Sequence, residues 1–201
     1  HKALYHLELG DRDAVFDLYD TRFRAEDTED GLDIANATAM LMRLKLRGID
    51  CSDRWERLAA VAARKTDERV LPFNDLHYML ALAGAEHPGA DEAAAAIAAH
   101  GLNKDDHWAA VYRDIATPMA RGIAAYGSKD YASAVKALLP IRYSWSAIGG
   151  SHAQRDVFQQ VLIDAAARAG EWRLANALLA ERTALKPHSA DAWRRAGEAA
   201  A

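Results

Sequence analysis

Apolar residues recur along this chain at intervals of three and four, and Gly, Pro and short polar groups separate the repeating segments. This spacing places apolar side chains on one face of an α-helix and predicts an all-α fold. The predicted helices cover 1–9, 12–23, 31–47, 52–65, 73–85, 90–100 and 106–126. Ser52 or Asp53 is the predicted N-cap of the fourth segment. Pro118 predicts a kink in the last segment or, as the alternative, a new helix capped by Thr117.

A repeat signature occupies the last fifty residues. Its positions are Gly170, Trp172, Ala175, Leu179, Pro187 and Trp193. These intervals match the two-helix tetratricopeptide repeat of about 34 residues, in which Gly ends the first helix, an aromatic residue and Ala pack the second helix, and Pro ends it. A second match consists of Gly122, Tyr131, Ala134 and Leu138. The chain therefore resembles a tetratricopeptide-repeat-like right-handed superhelix of antiparallel helical hairpins, with its clearest units at 115–141 and 156–189.

One connection interrupts this regular spacing. Ala134 and Ala175 occupy equivalent repeat positions but lie 41 residues apart, so about seven extra residues belong to the connection 142–151. Tyr143, Trp145 and the pair Gly149–Gly150 lie in it. Irregular loops on a regular scaffold are frequent sites of binding chemistry, which makes this connection the first place to look for a site. Residues 1–201 are otherwise predicted to form a single helical-repeat domain.

Composition narrows the functional classes. Alanine is abundant, whereas only 5 residues are Pro and 12 are Gly, as expected for a helical protein. The formal net charge of -4 leaves no basic surface for a phosphate backbone, so nucleic acid is not an expected partner. No apolar run is long enough to cross a bilayer, and the single Cys51 favours a reducing compartment, so we expect a cytoplasmic protein. The chain begins at His1 without Met, which suggests a piece of a longer protein.

The segment Gly149–Asp156 is the most unusual local sequence. Ser151 and Gln154 have the spacing of a capping box, in which each side chain bonds a backbone N–H at the helix start. His152 and Asp156 are four residues apart and share a helix face, so the carboxylate could orient the imidazole, while Arg155 could bind an anionic group. Two interpretations are open: a purely structural helix start, or a binding site at that start.

A second cluster is Pro72–His77, where Asn74 or Asp75 is the predicted N-cap of the next helix. His77 follows on an apolar helix, where an imidazole either makes one buried hydrogen bond or binds a ligand. Helix packing could also assemble a site from His77, His152, Asp75 and Asp156. Local metal-binding, nucleotide-binding and nucleophile motifs are absent from the sequence, so no metal and no cofactor are expected.

Several segments together resemble the tetratricopeptide repeat protein 38 family. They are His1–Gly10, Asp17–Asp20, Pro72–His77, Gly149–Asp156 and Leu162–Ala166. The resemblance implies an all-helical repeat protein from a family found in bacteria and eukaryotes, whose molecular role is poorly established. It also implies a chain of about twice this length, with a further helical half before the point where this sequence begins. The sequence then corresponds to the C-terminal portion, and the missing N-terminal half is an expected packing partner.

Three functional hypotheses follow. The leading one is a helical-repeat scaffold that binds a protein or peptide in a concave groove, where Asn74, His77, His152 and Arg155 orient the ligand. Its rival is an enzyme or a protein that binds a metal or small molecule, with His152 as a general base held by Asp156 and His77 as a second acid or ligand. The third is a structural subunit whose two halves pack together.

Overall fold

The computed structural model describes residues 1–26, 28–103 and 106–185. Its α-helices are α1 (Lys2–Glu8), α2 (Arg12–Leu18), α3 (Gly31–Lys45), α4 (Ser52–Lys65), α5 (Pro72–Gly84), α6 (Ala90–His100), α7 (Ala109–Val111), α8 (Thr117–Gly127), α9 (Tyr131–Leu138), α10 (His152–Arg168) and α11 (Trp172–Leu185). A π-helical turn, Tyr19–Phe23, extends α2, another, Tyr112–Ala116, joins α7 to α8, and a 3-10 helix, Leu139–Ile148, follows α9. These three ranges contain no β-strand, which confirms the all-α prediction.

Helical hairpins form where short turns join consecutive helices. Turns of three residues separate α1 from α2, α8 from α9 and α10 from α11, and the two helices of each pair contact each other. In the α8–α9 hairpin, Gly122 allows close approach, since a Cβ atom there would lie 2.6 Å from Cγ of Leu138. The two repeat units predicted from the sequence fall on the α8–α9 and α10–α11 hairpins. Helix–helix packing in the α8–α9 hairpin therefore depends on a small residue, as in the predicted repeat.

The α10–α11 hairpin follows the repeat pattern only in part. Ala175 is buried as predicted, and Leu179 is partly buried. Trp172, in contrast, is 44% exposed; it is the first residue of α11 and lies next to the turn of the hairpin. Pro187 and Trp193 lie outside the described residues.

Two predicted N-caps differ from the structure. α4 is preceded by Cys51 as N-cap rather than by Ser52 or Asp53. α5 begins at Pro72, which is suited to the first helical turn because it lacks an N–H group. Asn74 and Asp75 consequently lie inside the first turns of α5, and the prediction that one of them is the N-cap is wrong.

The predicted helix 106–126 starts later, at Ala109, and runs through Pro118 to Gly127. Thr117 is not an N-cap, because the residue before it, Ala116, already has helical φ and ψ angles of -67° and -38°. The π-helical turn Tyr112–Ala116 precedes the proline and adjusts the hydrogen-bonding pattern where Pro lacks a donor.

Helix α5 lies at the centre of the hydrophobic core. It contacts α3, α4, α6 and α8, and nearly all of its side chains are buried. Helix α10 contacts α9 and α11, and it also contacts α3, which is distant in the sequence. A linear array of repeats has contacts between neighbouring repeats only, so the α3–α10 contact is a departure from that arrangement. It brings the start of α10 against the first half of the chain.

Candidate functional site

A pocket of about 430 Å³ lies between the 3-10 helix Leu139–Ile148, the start of α10 and the end of α11. Its lining residues are Arg142, Tyr143, Trp145, Ser146, His152, Arg155, Asp156, Gln159, Glu181, Arg182 and Leu185. The irregular connection 142–151 thus supplies one wall, and the last helical hairpin supplies the other. We refer to this cavity as the 3-10/α10 pocket.

The turn between the two walls depends on two glycines and a capping box. Gly149 and Gly150 have φ angles of 90° and 71°, which other residues rarely adopt. Ser151 Oγ accepts a hydrogen bond from Gln154 N at 3.3 Å, and Gln154 Oε1 accepts one from Ser151 N at 2.8 Å. The predicted capping box is therefore confirmed. It fixes the first turn of α10, which carries His152 into the pocket.

Asp156 forms the buried base of the pocket. Its Oδ1 accepts a hydrogen bond from Arg182 Nε at 2.8 Å, and its Oδ2 accepts hydrogen bonds from Arg182 Nη2 at 3.0 Å and from Gln160 Nε2 at 2.6 Å. A buried carboxylate needs a cation close by, and the planar guanidinium meets both of its oxygens. Asp156 therefore orients Arg182. The expectation that it orients His152 is wrong, since the exposed His152 has no hydrogen bond to it.

Further charges link this base to α1 and α3. Arg43 Nη2 lies 3.8 Å from Asp156 Oδ2 and donates a hydrogen bond to the carbonyl oxygen of Ala153 at 2.5 Å. Burial lowers the pKa of Arg43 to about 10, and the nearby Asp156 carboxylate opposes this shift. Arg47, two residues beyond the end of α3, pairs with Glu8 at 3.1 Å. Because these side chains come from α1, α3, α10 and α11, the charge cluster explains why α3 and α10 are held together.

The pocket walls carry cations and hydrogen-bond donors. Arg155 donates hydrogen bonds to the carbonyl oxygens of Gly149, at 2.9 Å, and of Gly150. Arg142 Nη2 donates to the Tyr143 hydroxyl at 2.5 Å, and Arg142 Nε lies 3.8 Å from Glu181 Oε2. Two buried donors on this wall, Arg142 Nε and Trp145 Nε1, have no hydrogen-bond partner in the described part of the chain.

His77 does not belong to this pocket. Its side chain is fully buried, with ring centroids 4.3 Å from Phe73 and 5.0 Å from Phe158. Its Nδ1 makes a hydrogen bond with the carbonyl oxygen of Phe73 at 2.7 Å, while Nε2 has no partner among the described residues. Burial lowers the pKa of His77 to about 4, so the imidazole is neutral at pH 7. This is the buried hydrogen bond that the sequence left open as one of two alternatives.

Asn74 and Asp75 also lie elsewhere. Asp75 is buried and accepts a hydrogen bond from the Tyr112 hydroxyl at 2.6 Å, and burial raises the pKa of its carboxyl. Asn74 packs beside Gly31, where an added Cβ would lie 2.5 Å from Asn74 Nδ2. The site proposed from His77, His152, Asp75 and Asp156 is therefore not assembled, because α5 directs its polar residues into the core.

Sequence reasoning located only part of the 3-10/α10 pocket. The capping segment placed Ser151, His152, Arg155 and Asp156 together, and the irregular connection drew attention to Tyr143 and Trp145. It missed Arg142, Glu181 and Arg182. Local spacing gives no signal for Arg182, which lies 26 residues from Asp156 and meets it only through the α10–α11 turn.

Metal-binding groups, membrane-spanning helices and matches to known proteins were each searched for. Within residues 1–26, 28–103 and 106–185, no group of three or more His, Cys, Asp or Glu side chains is arranged to hold a metal ion. In the same ranges, no helix combines the length and the apolar character needed to cross a bilayer. No protein-family model and no solved structure matches this chain.

Proposed function

We propose that this chain is a helical-repeat scaffold that binds a peptide segment of a partner protein, and that the segment docks on the 3-10/α10 pocket. One observation carries the proposal: the pocket is lined by arginines and aromatic residues, and one of these lining residues, Trp145, has a buried Nε1 donor without a partner in the described residues. A buried donor without an acceptor costs free energy. An acceptor on a bound ligand would remove that cost.

The rim of the pocket supports a peptide as the ligand. Tyr143 is 71% exposed and Leu185 is 76% exposed, and both line the pocket. Exposed apolar side chains beside arginines and tyrosines are typical of the centre of protein interfaces. The rim thus offers an apolar contact next to polar groups. His152 and Arg155 keep the ligand-orienting role expected from the sequence, whereas His77 is assigned to the core and Asn74 lies outside the pocket lining.

The scaffold assignment rests on the helical hairpins and on the sequence pattern. We propose that the hairpins belong to a tetratricopeptide-repeat-like right-handed superhelix and that the chain is the C-terminal portion of a tetratricopeptide repeat protein 38 family member. The α8–α9 and α10–α11 hairpins support this assignment, and the α3–α10 contact is the feature that it has to accommodate. The single Cys51, buried as a free thiol, supports the proposed cytoplasmic location.

A peptide-display library selected on the purified chain tests the proposal. The selected peptides are then labelled, and their dissociation constants are measured by fluorescence anisotropy. Leu185→Ser removes an apolar contact at the rim, and Leu9→Ser is the matched control, because Leu9 is also exposed but lies next to α1. We expect saturable binding that Leu185→Ser weakens and Leu9→Ser leaves unchanged. Failure to select any saturable binder, or equal weakening by both substitutions, would contradict the proposal.

A further inference from the structure

We infer that the 3-10/α10 pocket selects an acidic residue of the docked peptide and binds its carboxylate. This inference rests on the proposed function, and it specifies the chemistry of the partner. Neither the capping motif nor the repeat pattern distinguishes an acidic from a basic or neutral segment. The charges and the hydrogen-bond donors of the pocket make that distinction.

The charge balance of the lining favours an anion. Three arginines line the pocket, and two carboxylates oppose them. Asp156 is engaged by Arg182, and Glu181 lies near Arg142 and accepts a hydrogen bond from the Tyr143 hydroxyl at 3.1 Å. Both carboxylates of the lining therefore already interact with side chains of the pocket.

Arg155 is the remaining cation of the lining. It bonds only the carbonyl oxygens of Gly149 and Gly150, and no carboxylate pairs with it in the described part of the chain. Its guanidinium has further N–H groups for a ligand, since five donors are available on each arginine. One uncompensated positive charge matches the single negative charge of Asp or Glu.

The unpartnered donors point to the same ligand. Trp145 is only 5% exposed, and its Nε1 has no hydrogen-bond partner among the described residues. Arg142 Nε also lacks a hydrogen bond there, although it lies 3.8 Å from the Glu181 carboxylate. A carboxylate provides acceptor sites and no donor, so it complements a wall of N–H groups. A lysine or arginine side chain of the ligand would instead place its own N–H donors and positive charge against the donors and positive charge of the pocket.

The start of α10 adds to this preference. The 17-residue helix begins at His152, and its first two turns supply His152, Arg155 and Asp156 to the pocket. The N-terminal end of a helix carries a partial positive charge from its aligned peptide dipoles. This field acts on a ligand in the pocket in the same direction as the Arg155 charge.

The test compares the acidic content and affinity of peptides selected on the full chain. One selected peptide is measured beside the same peptide with Gln in place of its acidic residue. Arg155→Gln removes the uncompensated cation. Trp145→Phe removes the Nε1 donor but keeps an aromatic ring, so it guards against a loss of fold. The matched controls are Arg113→Gln, at an exposed arginine paired with Asp114, and Trp55→Phe, at a buried tryptophan packed on Gly84.

We expect enrichment of Asp and Glu, and about tenfold weaker binding for the Gln peptide and for Arg155→Gln, as for the loss of one charge-assisted hydrogen bond. Trp145→Phe should also weaken binding, and both controls should not. Saturable binding without acidic preference and without an effect of Arg155→Gln would overturn the inference while leaving the proposed function standing. Tighter binding of a phosphoserine peptide than of the acidic one would overturn the carboxylate assignment. Absence of any saturable binding would refute the proposed function itself.

Discussion

Replacing Asp156 with Ala tests the charge cluster that joins the two ends of the fold. Asp156, Arg43 and Arg182 are all buried, and Arg182 holds both carboxylate oxygens at 2.8 and 3.0 Å. The substitution removes the only carboxylate within this group of three and leaves two guanidinium groups facing each other. We therefore expect α3, α10 and α11 to lose mutual stability together.

The expected loss is about 3–5 kcal/mol of the free energy of unfolding, the usual cost of removing one partner from a buried ion pair. Domains of this size unfold with about 5–15 kcal/mol, so the loss is a large fraction of the total. With a urea dependence of about 2 kcal/mol per molar, the midpoint should fall by about 2 M. Part of the loss reflects the uncompensated arginines rather than the worth of the pair itself.

Urea unfolding followed by circular dichroism at 222 nm measures this change at pH 7. Asp114→Ala is the control, because Asp114 forms an exposed pair with Arg113, and no measurable change in stability is expected there. The double substitution Asp156→Leu with Arg182→Met should be less destabilising than Asp156→Ala, because it removes a charge of each sign. If Asp156→Ala costs less than about 1 kcal/mol, the cluster does not hold these helices together.

Three further predictions address other parts of the fold. Burial lowers the pKa of His77 from 6.5 to about 4. As the pH falls, the imidazole is therefore protonated in the unfolded chain before it is protonated in the folded chain. The wild type should lose up to about 3 kcal/mol of stability between pH 6.5 and pH 4. His77→Leu should remove this part of the pH dependence, and equal pH profiles for both proteins in urea unfolding would refute the assignment. Gly150→Ala should lower the thermal unfolding midpoint of the protein more than Gly149→Ala. Both glycines have positive φ, but only a Cβ at Gly150 would clash, at 2.4 Å from Phe73 Cε2. The reverse order of midpoints would contradict this account. Ser151→Ala removes the capping hydrogen bond and should cost about 1 kcal/mol, measured by urea unfolding, and an unchanged midpoint would show that the cap is dispensable.

The sequence predicted well what depends on local structure. The helix predicted over 31–47 is observed at Gly31–Lys45, and the one over 90–100 is observed at Ala90–His100. The capping box at Ser151 was also predicted, since both of its partners lie within one turn. Periodicity and capping chemistry act over a few residues, which is why these features can be read from the chain alone.

Tertiary packing decided the features that the sequence did not predict. Asp75 looked like a helix cap, but Pro72 starts the helix earlier and Tyr112, 37 residues away, takes its carboxylate. Asp156 looked like a partner for His152, but Arg182 reaches it from the next helix. In both cases a buried carboxylate accepts a hydrogen bond from a donor that is distant in the sequence. The pairing requires the fold, so local spacing could not show it.

The central claim is that the 3-10/α10 pocket is the binding surface. Its most direct test is a nuclear magnetic resonance titration of the ¹⁵N-labelled chain with a display-selected peptide, observing the tryptophan indole N–H signals. Trp145→Phe and Trp55→Phe identify the two relevant signals by their disappearance. The account predicts a saturable shift of the Trp145 indole signal, with the Trp55 signal unmoved. A shift of the Trp55 signal while the Trp145 signal remains in place would contradict it.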